Sequence, residues 1–176
     1  MKKKIIAVSG KQYSGKDTVA KLILEKFPNF SRVGIGDAIK IEYGKRKGLS
    51  FEEIENEKHL YRADLIELGN WGRSQGDLFW LNKIFELPYD VIVPDMRVMP
   101  ELEAFKNENA FFLRVEASRE SRSLRGNITD EDDYTETALD NYSQWNYVID
   151  NSSGYETLKT NSELLFEAVE NYFGTL

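Results

Sequence analysis

Gly10-Lys11-Gln12-Tyr13-Ser14-Gly15-Lys16-Asp17-Thr18 stands between a short apolar run, Ile5-Ile6-Ala7-Val8, and a stretch in which Thr18, Val19, Leu22 and Ile23 recur at helical spacing up to Pro28. It fits the phosphate-loop pattern G-x-x-x-x-G-K in the strand-to-helix context that the pattern requires. The glycines let backbone N–H groups curl around phosphate oxygens, the lysine reaches the β and γ phosphates, and the helix N-terminus adds partial positive charge. Gly10, Lys11, Ser14, Gly15, Lys16, Asp17 and Thr18 are therefore expected to bind the phosphates of ATP. One letter departs from the pattern, because the usual Mg²⁺-ligating Ser/Thr is replaced by Asp17. Asp17 could hold Mg²⁺ directly or through water, or Thr18 could substitute, since Mg²⁺ accepts carboxylate oxygens readily.

Composition narrows the alternatives. The 176 residues carry 23 Lys+Arg against 30 Asp+Glu, one His and no Cys. This excludes a disulfide framework, a thiolate metal site and a Cys nucleophile, and it suits the cytoplasm. His59, without a second His or any Cys, makes no zinc site. The apolar run after Met1-Lys2-Lys3-Lys4 is too short for a signal peptide or a membrane span. Charge is unevenly spread, with one basic and 11 acidic residues in 126–176, so an anionic ligand belongs with the first two thirds. A net-acidic chain is a poor partner for a nucleic acid polymer.

No repeat or linker divides the sequence, and one domain covering 1–176 is expected. Strands are expected at Ile5–Val8, Arg32–Ile35, Tyr89–Val93, Ala110–Val115 and Tyr147–Ile149. Helical stretches lie between them, with breaks near Gly48-Leu49-Ser50 and from Gly69 to Gly76. Ser50-x-x-Glu53 resembles a capping box. Alternating strands and helices argue for an α/β three-layer fold with a five-stranded parallel sheet, whose ligands sit beyond the carboxyl ends of the strands. The region 37–87 is expected as a helical insertion, and 118–140 as a short lid.

Several charged residues fall at that expected edge. Asp95 ends an apolar strand, where it would orient a metal or simply form a turn after Pro94. Arg97 could clamp an acceptor phosphate, guanidinium being suited to bidentate oxyanion binding. Lys58 and Arg62 lie four apart on one helical face, with Arg73 three turns further on. An exposed face paired with Glu52 to Glu57 is the alternative. Arg119, Arg122 and Arg125 recur every third residue, the spacing of a lid helix that lowers arginines onto a transferring phosphoryl group, with Gly126 as its end or hinge. Asp37 would orient an acceptor group or cap a helix. The run Asp130-Glu131-Asp132-Asp133 reads as a solvated loop. Phe79, Trp80, Phe111, Phe112, Tyr142 and Trp145 read as core, while Trp71 or Tyr43 could face a base.

The Gly-x-x-x-Ser-Gly-Lys-Asp loop followed by Thr18 resembles two related families of P-loop kinases with the nucleoside monophosphate kinase-like fold. These are the phage and bacterial deoxynucleoside monophosphate kinases and the animal-type phosphomevalonate kinases. The resemblance continues through Gly36-Asp37-Ala38-Ile39-Lys40, Tyr61 to Gly69, Gly72-Arg73, Asp77-Leu78-Phe79-Trp80, Val93-Pro94-Asp95-Met96-Arg97, Thr135 to Asp140 and Val148 to Asn151, and so covers nearly the whole chain. It implies ATP with Mg²⁺ as donor, Lys16, Asp95, Arg97, Arg122 and Arg125 in catalysis, and Asp17, Thr18 and Asp95 at the metal. It further implies Asn151 near the adenine, and Asp37, Lys40, Lys58, Arg62, Arg73 and Arg97 around a small phosphorylated acceptor. Glu136 is covered without an evident role.

The two families part at informative places. Gly36-Asp37, Leu68 to Arg73 and Asp77 to Trp80 look like the nucleotide side, whereas Arg122-x-x-Arg125-Gly126 and Leu139 to Tyr142 look like the phosphomevalonate side. The expectation is a kinase acting on a (deoxy)nucleoside monophosphate, with phosphomevalonate as runner-up. A nucleotide-binding regulator without efficient transfer is the alternative from a different class.

Overall fold

The structure, a computed structural model, describes residues 3–174. Its contacts group the chain into two compact units, Met1–Arg32 with Tyr89–Leu176, and Val33–Pro88.

The first unit is built on a parallel sheet. Strands β1 (Ile5–Ser9), β2 (Ser31–Arg32), β3 (Val91–Val93), β4 (Phe111–Glu116) and β5 (Tyr147–Asp150) lie in the order β2-β3-β1-β4-β5. β1 pairs with β3 on one side, Ile6 opposite Ile92, and with β4 on the other, Ala7 opposite Phe112. Every residue of β1 and β3 is buried, which is why they read as continuous apolar runs rather than alternating ones. Because the chain leaves β1 for the β3 side and later returns to its β4 side, the loop after β1 sits at the switch point where doubly wound sheets bind ligands.

Helix α1 (Lys16–Lys26) buries Val19, Ala20, Leu22 and Ile23 and stops where Phe27 precedes Pro28, a position that disfavours helical backbone. It shares a core with β1, β4 and the last helix, in which Ile6, Val8, Phe27, Phe111, Leu165 and Phe166 meet. The rings of Phe27 and Phe166 pack edge-on at 5.8 Å.

The expected second strand is corrected. It is Ser31–Arg32 alone, and Ile35 already opens α2 (Ile35–Lys47) in the second unit. The reason is local: the Asp37 carboxylate accepts the Gly34 N–H at 2.8 Å and caps the helix start.

In Val33–Pro88, α2 is followed by α3 (Phe51–Asn56), α4 (Lys58–Gln75) and α5 (Phe79–Phe85). The expected break at Gly48 is present, that residue ending α2 at φ 71°. The Ser50–Glu53 capping box is closed by reciprocal bonds of 2.7 and 3.2 Å. The expected break between Gly69 and Gly76 falls at the far end of that range: α4 runs through Gly69 and Gly72 to Gln75 and stops at Gly76, whose φ is 149°. Its glycines serve packing instead. Trp80 of α5 donates its indole N–H to the Gly69 carbonyl at 3.0 Å, and a Cβ on Gly72 would stand 2.3 Å from the Trp80 ring.

In the first unit, α6 (Met99–Asn107) links β3 to β4. After β4 come α7 (Arg119–Arg125), the single-turn α8 (Tyr134–Thr137) and, beyond β5, α9 (Tyr155–Phe173). Among the described residues no helix is long and apolar enough to cross a membrane.

Gly72→Ala is expected to destabilise the protein by about 1–3 kcal/mol through overpacking against Trp80, despite alanine's better helix propensity. Gly36→Ala, which meets nothing within 4 Å, should be neutral or stabilising. Urea denaturation of both variants checks the contrast.

Candidate functional site

The phosphate loop leaves β1 at Gly10 and enters α1 through Gly15, which caps the helix at φ 96°. A Cβ there would stand 2.2 Å from the Asn151 amide nitrogen, so both the backbone angle and the close approach require glycine. Lys16 folds its ammonium over the loop, donating to the carbonyls of Gly10 at 2.7 Å and Lys11 at 3.0 Å. Burial, then the neighbouring Arg97, lower its pKa to about 8, against the opposing pull of Glu136 and Asp17.

The loop's other carbonyls are paired as well. Asn151, buried, donates its amide to the Ser14 carbonyl at 2.8 Å. Arg122 reaches the Gln12 carbonyl at 3.4 Å. Arg125 reaches those of Tyr13 at 3.2 Å and Ser14 at 3.4 Å, and also the Asn151 carbonyl. Asn151 is thus packed against the phosphate loop. Arg122 is buried against the loop, with its Nε unpaired among the described residues, and does not line the cleft above it.

That cleft, about 610 Å³, is lined by Gly15, Lys16, Asp17, Thr18, Arg32, Pro94, Asp95, Arg97 and Arg125, with Gln12 and Tyr13. It gathers most of the residues expected at the donor and the metal. Asp17 pairs with Arg32, accepting from its Nη2 at 2.8 Å and its Nε at 3.2 Å. The metal fits this donor set: Asp17, Thr18 and Asp95 offer oxygen atoms, and Mg²⁺ is commonly held by one or two carboxylates plus phosphate oxygens. Among the described residues there is no group of three or more His, Cys, Asp or Glu able to hold an ion by themselves. Phosphate oxygens would therefore have to complete the shell.

The sequence reading missed a layer of ion pairs around the loop. Arg114, a buried cation inside the apolar β4, bonds Glu116 at 2.7 Å, Ser9 at 3.2 Å and Asp140 at 3.3 Å. Asp140 also takes the Lys11 ammonium at 2.7 Å. Glu131 takes Arg119 at 2.8 Å and Arg122 at 3.2 Å, so the acidic run is not merely solvated. Glu136 accepts the Gln12 N–H at 2.9 Å and Arg97 Nη1 at 2.6 Å. The available signal was Arg114 itself, a charge in the middle of Phe111–Val115.

In Val33–Pro88 a second cleft of about 610 Å³ brings together Lys40, Lys58, Arg62 and Arg73, with Gly36, Ile39, Leu65, Ile66, Gly69 and Asn70. Four expected acceptor residues thus share one cleft. Asp37 does not line it but bonds Lys40 at 3.0 Å, and Glu55 bonds the same ammonium at 2.5 Å. Burial opposes the Lys40 charge, yet these two partners raise its pKa above the ordinary value. Tyr43 and Trp71 line a different cleft of the same unit, with Arg46 and Asp64.

Asn151→Ala is expected to cost about 1–3 kcal/mol, since it leaves the buried Ser14 carbonyl short of a donor, and to weaken ATP binding by loosening the loop. Denaturation and calorimetric titration with ATP measure the two effects.

A family model described as phosphomevalonate kinase matches residues 8–111. Among solved structures, the chain is similar to shikimate kinase from Aquifex aeolicus, at 21% identity and a TM-score of 0.52 over 97% of this chain and 99% of that one. A Thermus thermophilus protein matches at 18% identity and a TM-score of 0.49 over 95% and 98%. The first of these likenesses speaks to the fold alone. The family match runs through the phosphate loop, Asp95-Met96-Arg97 and all four helices of Val33–Pro88, and on that ground the chain belongs to the phosphomevalonate kinase family, P-loop kinases of the nucleoside monophosphate kinase-like fold.

Proposed function

We propose that this kinase uses ATP with Mg²⁺ to phosphorylate the phosphate group of a small acceptor, and that the acceptor is a (deoxy)nucleoside monophosphate. The observation that carries the choice of acceptor is the lining of the Lys58–Arg62–Arg73 cleft. Lys40, its fourth cation, is already neutralised by Asp37 and Glu55. Three cations are left for one phosphate, beside an apolar wall of Ile39, Leu65 and Ile66 that suits a base. The family match favours phosphomevalonate as the second reading, but its carboxylate would meet Asp37 and Glu55 at Lys40.

In this reading the phosphate-loop unit takes the donor, Val33–Pro88 takes the acceptor, and residues 118–140 cover the loop within a single catalytic domain. An acceptor phosphate oxygen bonds to the γ phosphorus as the bond to the β–γ bridging oxygen breaks, and ADP leaves. A phosphate monoester is largely dianionic at pH 7, its second pKa being about 6, so no general base is needed and the protein's part is alignment and charge neutralisation. Lys16 neutralises the donor phosphates, and Arg97 clamps the acceptor phosphate against them. Mg²⁺, held by Asp17, Thr18 and Asp95 with the phosphates, supplies further charge neutralisation when bound. A chain without cysteine suits the reducing, ATP-rich cytoplasm.

Coupled ADP release against deoxynucleoside and ribonucleoside monophosphates and phosphomevalonate tests the reading. Turnover on a nucleotide is expected, turnover on phosphomevalonate alone would select the second reading, and silence with ATP binding retained would make the chain a nucleotide-binding regulator. Lys16, depressed to about 8, must be protonated to meet phosphate. kcat/KM for ATP should therefore fall as pH rises through about 8. The same limb in kcat should lie higher, because bound phosphate favours the charged lysine.

A further inference from the structure

We infer that Glu136 is a positioning residue, which sets the Arg97 guanidinium and the mouth of the phosphate loop in one fixed relation through its two carboxylate oxygens. The inference rests on the reading of the phosphate-loop cleft as the donor site.

Glu136 comes from α8, a single turn held by Asp133, whose carboxylate accepts the Thr135 N–H at 2.8 Å and whose carbonyl accepts the Glu136 N–H at 2.9 Å. The side chain is 4% exposed. A carboxylate so far out of water must be fully partnered, and both oxygens are: Oε2 by the Gln12 N–H at 2.9 Å, Oε1 by Arg97 Nη1 at 2.6 Å. The segment around it is tied to the loop on either side. The Gln12 amide exchanges bonds of 2.7 and 3.3 Å with the Thr129 backbone, and Lys11 pairs with Asp140 at 2.7 Å.

Arg97 is the member that faces the cleft, its side chain 38% exposed. Glu136 holds it by one nitrogen, end-on. The Nε and Nη2 edge, the edge that binds a phosphate with two parallel bonds, takes no partner among the described residues. Glu136 thus anchors one corner of the guanidinium and leaves the Nε and Nη2 edge without a protein partner among the described residues, on a residue that lines the cleft. The arginine's own backbone is fixed as well, since Glu101 accepts the N–H groups of Arg97 at 2.7 Å and Val98 at 3.2 Å.

The test compares Glu136→Gln, Glu136→Ala, Arg97→Gln and the double variant Arg97→Gln/Glu136→Gln. Glutamine keeps an acceptor for the Gln12 N–H but not the charge that holds Arg97. Its kcat is expected to fall by about 10- to 100-fold, the scale of a reacting group misplaced by an ångström, with KM for ATP changed less than about threefold. The double variant should be no slower than Arg97→Gln alone. In ¹⁵N-arginine spectra, the Arg97 guanidinium should show restricted rotation in the parent and averaging in Glu136→Gln, while the Gln12 amide keeps its exchange protection there and loses it in Glu136→Ala. Parental kcat in Glu136→Gln, losses that multiply in the double variant, or an unchanged Arg97 signal would each overturn the inference. A parent silent on every acceptor would defeat the proposed function, and the Arg97 signal would still decide this point. If Glu136→Ala fails to fold, Glu136→Gln carries the decision.

Discussion

A loop that turns its backbone amides toward a ligand must turn its carbonyls toward the protein, and buried carbonyls need donors. Five successive ones, from Gly10 to Ser14, are served here. Lys16 takes the first two, Arg122 the third, Arg125 the fourth, and Asn151 with Arg125 the fifth. These donors come from α1, from α7 and from the residue after β5, so the loop's shape is a property of the whole sheet edge. The same requirement explains why α7, which reads as a lid, has its last arginines committed to the loop in this structure.

Gathering cations around one loop is costly unless anions follow them in. The acidic last third of the chain supplies these anions. Glu131 meets Arg119 and Arg122, Glu136 meets Arg97, and Asp140 meets both Lys11 and Arg114. Three of the eleven acidic residues in 126–176 thus answer cations that stand earlier in the chain. Lys16 and Arg125, which pair with no carboxylate among the described residues, line the cleft in which phosphates would be bound, together with Arg97.

Val33–Pro88 obeys a different rule. Its helices pack through a tryptophan that replaces side-chain contact with backbone contact at Gly69 and Gly72. Glycines that read as helix breakers are there because a ring occupies the space of their absent Cβ. One face of α4 then carries Lys58, Arg62, Leu65, Gly69 and Arg73 along a single cleft with Ile39 and Lys40 of α2. The spacing of Lys58 and Arg62 was legible as one helical face. That Arg73 belongs to the same face depended on α4 passing through Gly69 unbroken.

By itself the sequence determined the parallel α/β sheet, the phosphate loop and its place after the first strand. These rest on local chemistry, namely runs of β-branched and aromatic residues buried on two faces, and glycines at fixed offsets from a lysine. It also made the capping box at Ser50 and the turn at Gly48 legible, because both are completed within a few residues. Tertiary structure alone decided that Asp37 caps a helix while holding Lys40, that Asn151 and Arg122 serve the loop's carbonyls, and that Glu136 bridges Gln12 and Arg97. Those partners lie up to 137 positions apart. A charged side chain far from its partner looks the same in sequence whether it is solvated or paired, and only burial, which forces the pairing, tells the two apart.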